Sequence, residues 1–338
     1  MLGVIPENAE LTQRPKEILA WDDVEPKMKP VLARQMEVFA GFLEHTDYQV
    51  GRLIDAITDL EILDDTLVYI IIGDNGASAE GTPNGSFNEG LMLNGVTGVE
   101  TPEFLTARID EFGGPKSFNH YAVGWAHAMD TPYQWTKQVA SHWGGTRNGT
   151  IVHWPKGIKA KNEIRSQFCH VIDVAPTVLE VAGIPQPTVV NSVQQSPIEG
   201  TSMVYSFNDA TAAERHELQY FEMFCNRGIY YKGWSAVTRH STPWVFEKLS
   251  AFDDDIWELY DGGTDWTQAR NLAEEMPEKL RELQRLWLIK RRNTMSSRWT
   301  TVESSASTRI SPAGRSWSRA IPSCCLAAWV GSVKTASW

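Results

Sequence analysis

Cysteine is scarce: the 338 residues hold four, Cys169, Cys225, Cys324 and Cys325, with no C-x-x-C spacing. That excludes a zinc-finger site and a disulfide scaffold. Cys169 and Cys225 stand beside Phe168 and Phe224 and read as buried, inert thiols, because no cationic group is placed to activate them. No apolar run reaches the roughly 18 residues a membrane-spanning helix needs, so no membrane partner is expected. The N-terminus, Met-Leu-Gly-Val-Ile-Pro-Glu-Asn, lacks the basic patch and apolar core of a secretory signal, which favours the cytoplasm. Positive charge is also in deficit. Lys and Arg number 31 against 42 Asp and Glu, a formal net charge of −11, and that argues against a nucleic-acid partner. There is no H-E-x-x-H and no internal repeat, and His45, His120, His127 and His153 carry no spacing that assigns them a role.

What is present suits an enzyme. At 42% hydrophobic and 10% aromatic, the chain can bury a sizeable core and form more than one domain. The most informative stretch is Thr66-Leu-Val-Tyr-Ile-Ile-Ile-Gly-Asp74-Asn75-Gly76. Its unbroken apolar run predicts a central strand covered on both faces. Ligands of open α/β sheets bind beyond the carboxyl ends of strands, where Asp74 and Asn75 would project. A carboxylate and an amide carbonyl are hard oxygen donors suited to Ca²⁺ or Mg²⁺ rather than Zn²⁺. Asp-Asn-Gly is equally a turn signal, since Asn and Gly tolerate positive φ. Both readings stand at this point.

Apolar positions from Val31 to Ile57 fit one long amphipathic helix, or two in sequence, over residues 28–59, packing against the strand at 66–72. Residues 78–120 are rich in Gly, Asn, Ser, Thr and Glu and read as a lid or binding loop. A strand at 150–154 and a helix at 171–181 continue a βα alternation. Beyond Pro185-Gln-Pro187, residues 217–224, 227–231, 234–238 and 255–260 read as short antiparallel strands, with a turn at Lys232-Gly233. A helix from Pro277 to about residue 289, with Leu280, Leu283, Leu286 and Trp287 on its apolar side, closes this part.

In order and spacing these segments resemble the sulfatase family. The resemblance rests on Val38-Phe-Ala-Gly-Phe-Leu-Glu-His-Thr-Asp47 through Gly51, on Gly73-Asp-Asn-Gly76, and on Ser141-His-Trp-Gly-Gly-Thr-Arg147 leading to Pro155. It continues through Ile172-Asp-Val-Ala-Pro-Thr177, Glu199-Gly-Thr-Ser-Met203, Trp257-Glu-Leu-Tyr-Asp261 and Asn271 to Leu280. The implied fold is α/β: an incomplete alkaline phosphatase/sulfatase-like mixed sheet flanked by helices, plus a small C-terminal α+β subdomain. The implied domains are residues 1–189, 190–289 and a tail at 290–338. The resemblance makes Asp74 and Asn75 the later pair of ligands to Ca²⁺, or alternatively Mg²⁺. It makes Lys137, one position farther from Gly144 than in many relatives, the sulfate-contacting lysine. His142 is a candidate contact for the leaving group, or else a satisfied structural histidine.

The family's nucleophile is a formylglycine made from a C/S-x-P-x-R motif, and that motif is absent from the 338 residues; Ser311-Pro312-Ala313-Gly314-Arg315 has its proline one place too early. An N-terminal aspartate pair is missing as well. The expectation is a hydrolase of small-molecule sulfuric esters by descent, inactive as this chain alone. A phosphoryl-transfer relative and a non-enzymatic half-domain binding protein remain as alternatives. Residues 290–338 hold eight Lys or Arg, one Glu, eleven Ser and four Trp, and without them the net charge moves from −11 to −18. Their permitted codons include a second frame reading AAKYNVLPLD, so the tail is expected to be out of frame.

Overall fold

A computed structural model describes residues 3–94, 96, 98–245 and 251–306. In chain order it contains α1 (Lys29–Asp59), β1 (Val68–Ile71), α2 (Glu89–Leu93), α3 (Pro102–Ala107), α4 (Val123–Asp130), α5 (Trp143–Thr146) and β2 (Thr150–His153). These are followed by α6 (Val174–Ala182), β3 (Val189–Val190), β4 (Val193–Gln194), β5 (Leu218–Met223), β6 (Asn226–Tyr231), β7 (Trp234–Thr238), β8 (Glu258–Asp261) and α7 (Pro277–Ala306). The class is mixed α/β. The chain divides into two compact units: Met1–Glu7, Phe39–Asp74 and Asn148–Leu218 form one, while Asn8–Val38, Asn75–Arg147 and Gln219–Trp338 form the other.

In the first unit, β1 pairs with β2 antiparallel, in the register Val68↔His153 to Ile71↔Thr150. This corrects two expectations. The strand is not covered on both faces, since Val68–Ile71 are each only half-buried, and the next strand runs antiparallel rather than continuing a parallel alternation. An apolar run specifies a strand but not what lies over it. The part of α1 in this unit also departs from expectation. Phe42, Tyr48 and Leu53 are exposed, so that stretch does not bury its stripe on β1. The helix itself forms as predicted because its apolar positions recur at helical spacing and no proline follows Pro30 within it. Helix α6 begins where the Asp173 carboxylate accepts the His170 N–H at 2.8 Å and the Thr201 N–H at 2.7 Å. It ends at Gly183 with φ +65°, a left-handed cap that glycine adopts without steric cost.

The second unit contains two buried clusters. Met28, Val31, Leu32, Phe87, Leu105, Phe112 and Ala122 form one, with Phe87 meeting Phe112 edge-on at 5.3 Å. Ile18, Ala79, Val123, Trp135, Val139 and Trp244 form the other. Phe87, Leu105 and Phe112 come from the 78–120 segment, so among the described residues it is a packed element and not a lid. Its polar composition concealed the carboxylate of Glu100, which accepts the Phe87 and Asn88 N–H groups at 3.0 and 2.8 Å.

Strands β5 to β8 form a four-stranded sheet in sequence order, as the spacing of turn residues predicts. Tyr231 opposes Trp234 across Lys232-Gly233, both with positive φ, +49° and +85°. That is the pair of left-handed residues a tight hairpin requires. Helix α7 lies on this sheet through Leu283 and Trp287, which are 0% and 2% exposed. Trp287 stacks on Tyr220 at 5.3 Å. The helix runs past the expected end near residue 289 to Ala306, with no proline or glycine in between to stop it. Residues 307–338, with most of the expected out-of-frame tail, lie outside the described residues. The cysteines also differ from expectation: Cys169 is exposed, whereas Cys225 is buried and disulfide-bonded. Among the described residues no helix is long and apolar enough to cross a membrane.

Candidate active site

The apolar run of β1 ends at Gly73, whose φ of +86° turns the chain sharply, and the Gly73 carbonyl accepts a bond from the Asn148 amide at 3.0 Å. Asp74, exposed, is the last residue of its segment in the first unit, and Asn75, half-buried, opens a segment of the second. From Asn75 onward the chain is fixed by backbone bonds. Gly76 N–H reaches Gly145 O at 3.2 Å, and Lys137 N–H reaches Ala77 O at 3.1 Å. A Cβ at Gly76 would lie 1.6 Å from Gly144 O, so only glycine fits there.

Lys137 therefore sits beside the segment that follows Asp74-Asn75. Its Nζ lies 3.0 Å from Glu80 Oε1 and 3.1 Å from Oε2. Glu80 also bonds Ser78 Oγ and accepts from Gln138 Nε2 at 3.3 Å. Burial alone would raise the Glu80 carboxyl, but the bonds from Ser78 and Lys137 overcome it and hold its pKa below the ordinary value. Glu80 is thus ionised at neutral pH and is the resident partner of Lys137.

The lysine segment is wrapped tightly. Trp135 and Gln138 have φ of +67° and +75°, a conformation that non-glycine residues hold only under constraint. The constraint comes from Gly144-Gly145. A Cβ at Gly144 would lie 2.2 Å from Gln134 O, and one at Gly145 would lie 2.3 Å from Val139 O. The paired glycines therefore let the 134–139 backbone close over α5. Arg147, the last residue of that Gly-Gly-x-Arg segment, lies over the Trp266 ring at 4.4 Å.

His142 is elsewhere in character. It is fully buried, its Nδ1 is 2.9 Å from Ser141 Oγ and its Nε2 is 3.0 Å from Glu258 Oε2. Nε2–H donating to the carboxylate leaves Nδ1 to accept from the Ser141 hydroxyl. Glu258 also accepts from Tyr260 OH at 2.5 Å, and Gln134 bonds the same hydroxyl at 3.2 Å. Both ring nitrogens are engaged in these bonds, through which the histidine ties α5 to β8.

Among the sequence-predicted residues, Asn75 and Lys137 share this framework through Ala77. Glu80, Gln138 and Asp130, whose Oδ1 accepts Ala77 N–H at 2.8 Å, were not singled out from sequence. Their contacts span about fifty residues of chain, and no local pattern marks them.

The family model described as Sulfatase matches residues 6–184. The chain belongs to the sulfatase family. The sulfatase match is followed by one to the model described as N-sulphoglucosamine sulphohydrolase, C-terminal, over residues 135–287. The chain is 29% identical over 296 residues to an uncharacterized sulfatase of Schizosaccharomyces pombe, covering 85% of this chain and 49% of that protein. It is 28% identical to an arylsulfatase of Klebsiella aerogenes over 54% of this chain and 37% of the relative. It thus spans about half or less of the length of the curated sulfatases it matches. Among solved structures, one from work on glycosaminoglycan metabolism by Bacteroides thetaiotaomicron aligns over 71% of this chain and 42% of its own, with 17% identity and a TM-score of 0.46.

Sulfatase membership implies a divalent cation and a formylglycine. For the cation, Asp74 and Asn75 supply donors of the right chemistry, a carboxylate and an amide oxygen. They are two donors only, and among the described residues no group of three or more His, Cys, Asp or Glu could hold a metal. For formylglycine the residues do not fit, because no Cys or Ser in the sequence stands in a C/S-x-P-x-R motif.

Proposed function

We propose that this chain carries part of a sulfuric ester hydrolase site of the arylsulfatase type, acting on small-molecule sulfate esters. Asp74 and Asn75 are its oxygen donors to Ca²⁺, with Mg²⁺ as the alternative ion, and Lys137 is its contact to a sulfate oxygen. The observation that carries this reading is the placement of Lys137, bonded through its backbone to Ala77, two residues past Asn75, and through its ammonium to Glu80. A bound cation would neutralise sulfate oxygens. The chain's own contribution is to present an ammonium held in direction by a carboxylate and an amide, in a segment whose strained backbone limits its motion. The proposed organisation is a catalytic-domain portion at 1–189, a small antiparallel-sheet subdomain at 190–289 and a separate tail at 290–338.

A second reading keeps the same residues in a binding protein that recognises sulfate esters without hydrolysing them. One set of measurements on the purified 338-residue chain tests the sulfate site that both readings share, with 4-nitrophenyl sulfate and 4-nitrophenyl phosphate followed by saturation-transfer NMR and by nitrophenol release. Calcium-dependent binding of the sulfate ester that Lys137→Met abolishes, without turnover, is the expected result. Equal binding by wild type and K137M would sink the sulfate-site reading, tighter binding of the phosphate would favour the phosphoryl-transfer alternative, and robust turnover would refute inactivity of the chain.

A further inference from the structure

Asp130, at the end of α4, is only 9% exposed. One carboxyl oxygen accepts the Ala77 N–H at 2.8 Å, while Oδ2 is buried without a hydrogen-bond partner. Keeping an acid in such a place is costly, because a buried polar atom without a partner has lost its water and gained nothing in exchange. Asp130 therefore has to be accounted for by what its bonded oxygen does.

That oxygen acts on the Asn75 turn. The Ala77 peptide unit is held at both ends, its N–H by Asp130 and its C=O by the Lys137 N–H. The preceding N–H, that of Gly76, is taken by Gly145 O. A Cβ built on Gly76 would fall 3.3 Å from Asp130 Oδ1, so the carboxyl lies directly over the Gly76–Ala77 peptide. Of these three restraints on the turn, Asp130 provides the only one made by a side chain.

We infer that Asp130 is a positioning residue for Asn75: by holding Ala77 N–H it fixes the turn, and so fixes the direction in which the Asn75 amide oxygen is offered to a cation. The inference rests on the reading of Asn75 as a donor. What Asp130 supplies is a hydrogen-bond acceptor and not a charge, since burial pushes its carboxyl up to about 8 and leaves it neutral at pH 7. Asn at this position keeps the acceptor, whereas Leu keeps the volume and removes it.

The test compares wild type, Asp130→Asn, Asp130→Leu and Asn75→Ala in the full chain at pH 7, using Tb³⁺ as an oxygen-seeking probe ion read by its sensitised emission and amide hydrogen exchange at Ala77. D130L is expected to weaken Tb³⁺ about fivefold, the size of one hydrogen bond. It is also expected to speed Ala77 exchange about tenfold, while D130N stays within about twofold of wild type in both. Unchanged Tb³⁺ affinity in D130L, or a loss in D130N as large as in D130L, would overturn the inference. Asn75→Ala binding Tb³⁺ as tightly as wild type would instead overturn Asn75 as a donor. That failure is distinct, because the failure of Asp130 alone leaves N75A weakened. Should D130L fail to fold, Asp130→Ala, which also removes the acceptor, carries the same expected losses, and Tb³⁺ affinity equal to wild type in D130A would overturn the inference.

Discussion

Glu80 and Asp130 bond neighbouring parts of one segment and are driven in opposite directions. The Glu80 pKa is lowered by its partners, so its folded state favours the charged form. The stability it contributes is present above the unfolded carboxylate value and is lost as pH falls through the lower folded value. Glu80→Gln is therefore expected to flatten the stability profile on the acid side of the usual carboxylate range, as measured by denaturation midpoints at stepped pH. Asp130 is the reverse case. Its unfolded form ionises above an ordinary Asp value near 3.8, whereas burial keeps the folded form protonated to about 8. The folded state then binds the extra proton between those values, and stability falls as pH rises across that window. D130N is expected to raise Tm at pH 7, by an amount that shrinks toward pH 4. A Tm difference independent of pH would show that Asp130 is ionised in the folded chain.

At the scale of elements, the paired glycines and the hairpin glycine separate two uses of the same residue. Gly233→Ala places a side chain at φ +85° with nothing within 4 Å of the new atom, so its cost is conformational, about 1 kcal/mol. Gly144→Ala drives a methyl to 2.2 Å from a backbone oxygen and is expected to cost about 3 kcal/mol and to displace the Lys137 segment. Urea denaturation of the two variants checks the order, and equal losses would mean that the 134–139 wrap is looser than described. The long helix, the Lys232-Gly233 turn, the four-stranded sheet and the Leu283 and Trp287 face of α7 were legible in sequence because each is a local pattern of periodicity or turn chemistry. The packed state of residues 78–120 was not legible. Three apolar residues, Phe87, Leu105 and Phe112, are scattered among turn formers there, and the Glu100 bonds that organise the segment span twelve and thirteen residues. His142 was legible as either a leaving-group contact or a satisfied structural histidine, but its partner Glu258, 116 residues away, was not.

At the scale of the whole molecule, burial is uneven. Both hydrophobic clusters belong to the second unit. The first unit shows Phe42, Tyr48, Leu53, Ile151 and Val193 each more than 60% exposed, and its two described sheets, β1–β2 and β3–β4, have two strands each. Two strands alone are marginal in water. Native-state hydrogen exchange is expected to open β1, β2 and the Phe39-to-Asp59 stretch of α1 well before β6 and β7, because local stability follows buried apolar contact. Uniform protection across both units would contradict this.

The left-handed backbone at Gln138 carries a consequence for anyone selecting hardier variants. A screen scored on melting temperature would favour Gln138→Gly, which relaxes a φ of +75° for a gain of about 1 kcal/mol. The same exchange deletes the amide on Glu80 and frees the neighbouring lysine to wander. Selection for robustness and selection for ligand recognition would thus diverge at a single codon, and a variant library sorted on both would show the trade-off as a depletion of glycine at position 138 only under the second sort.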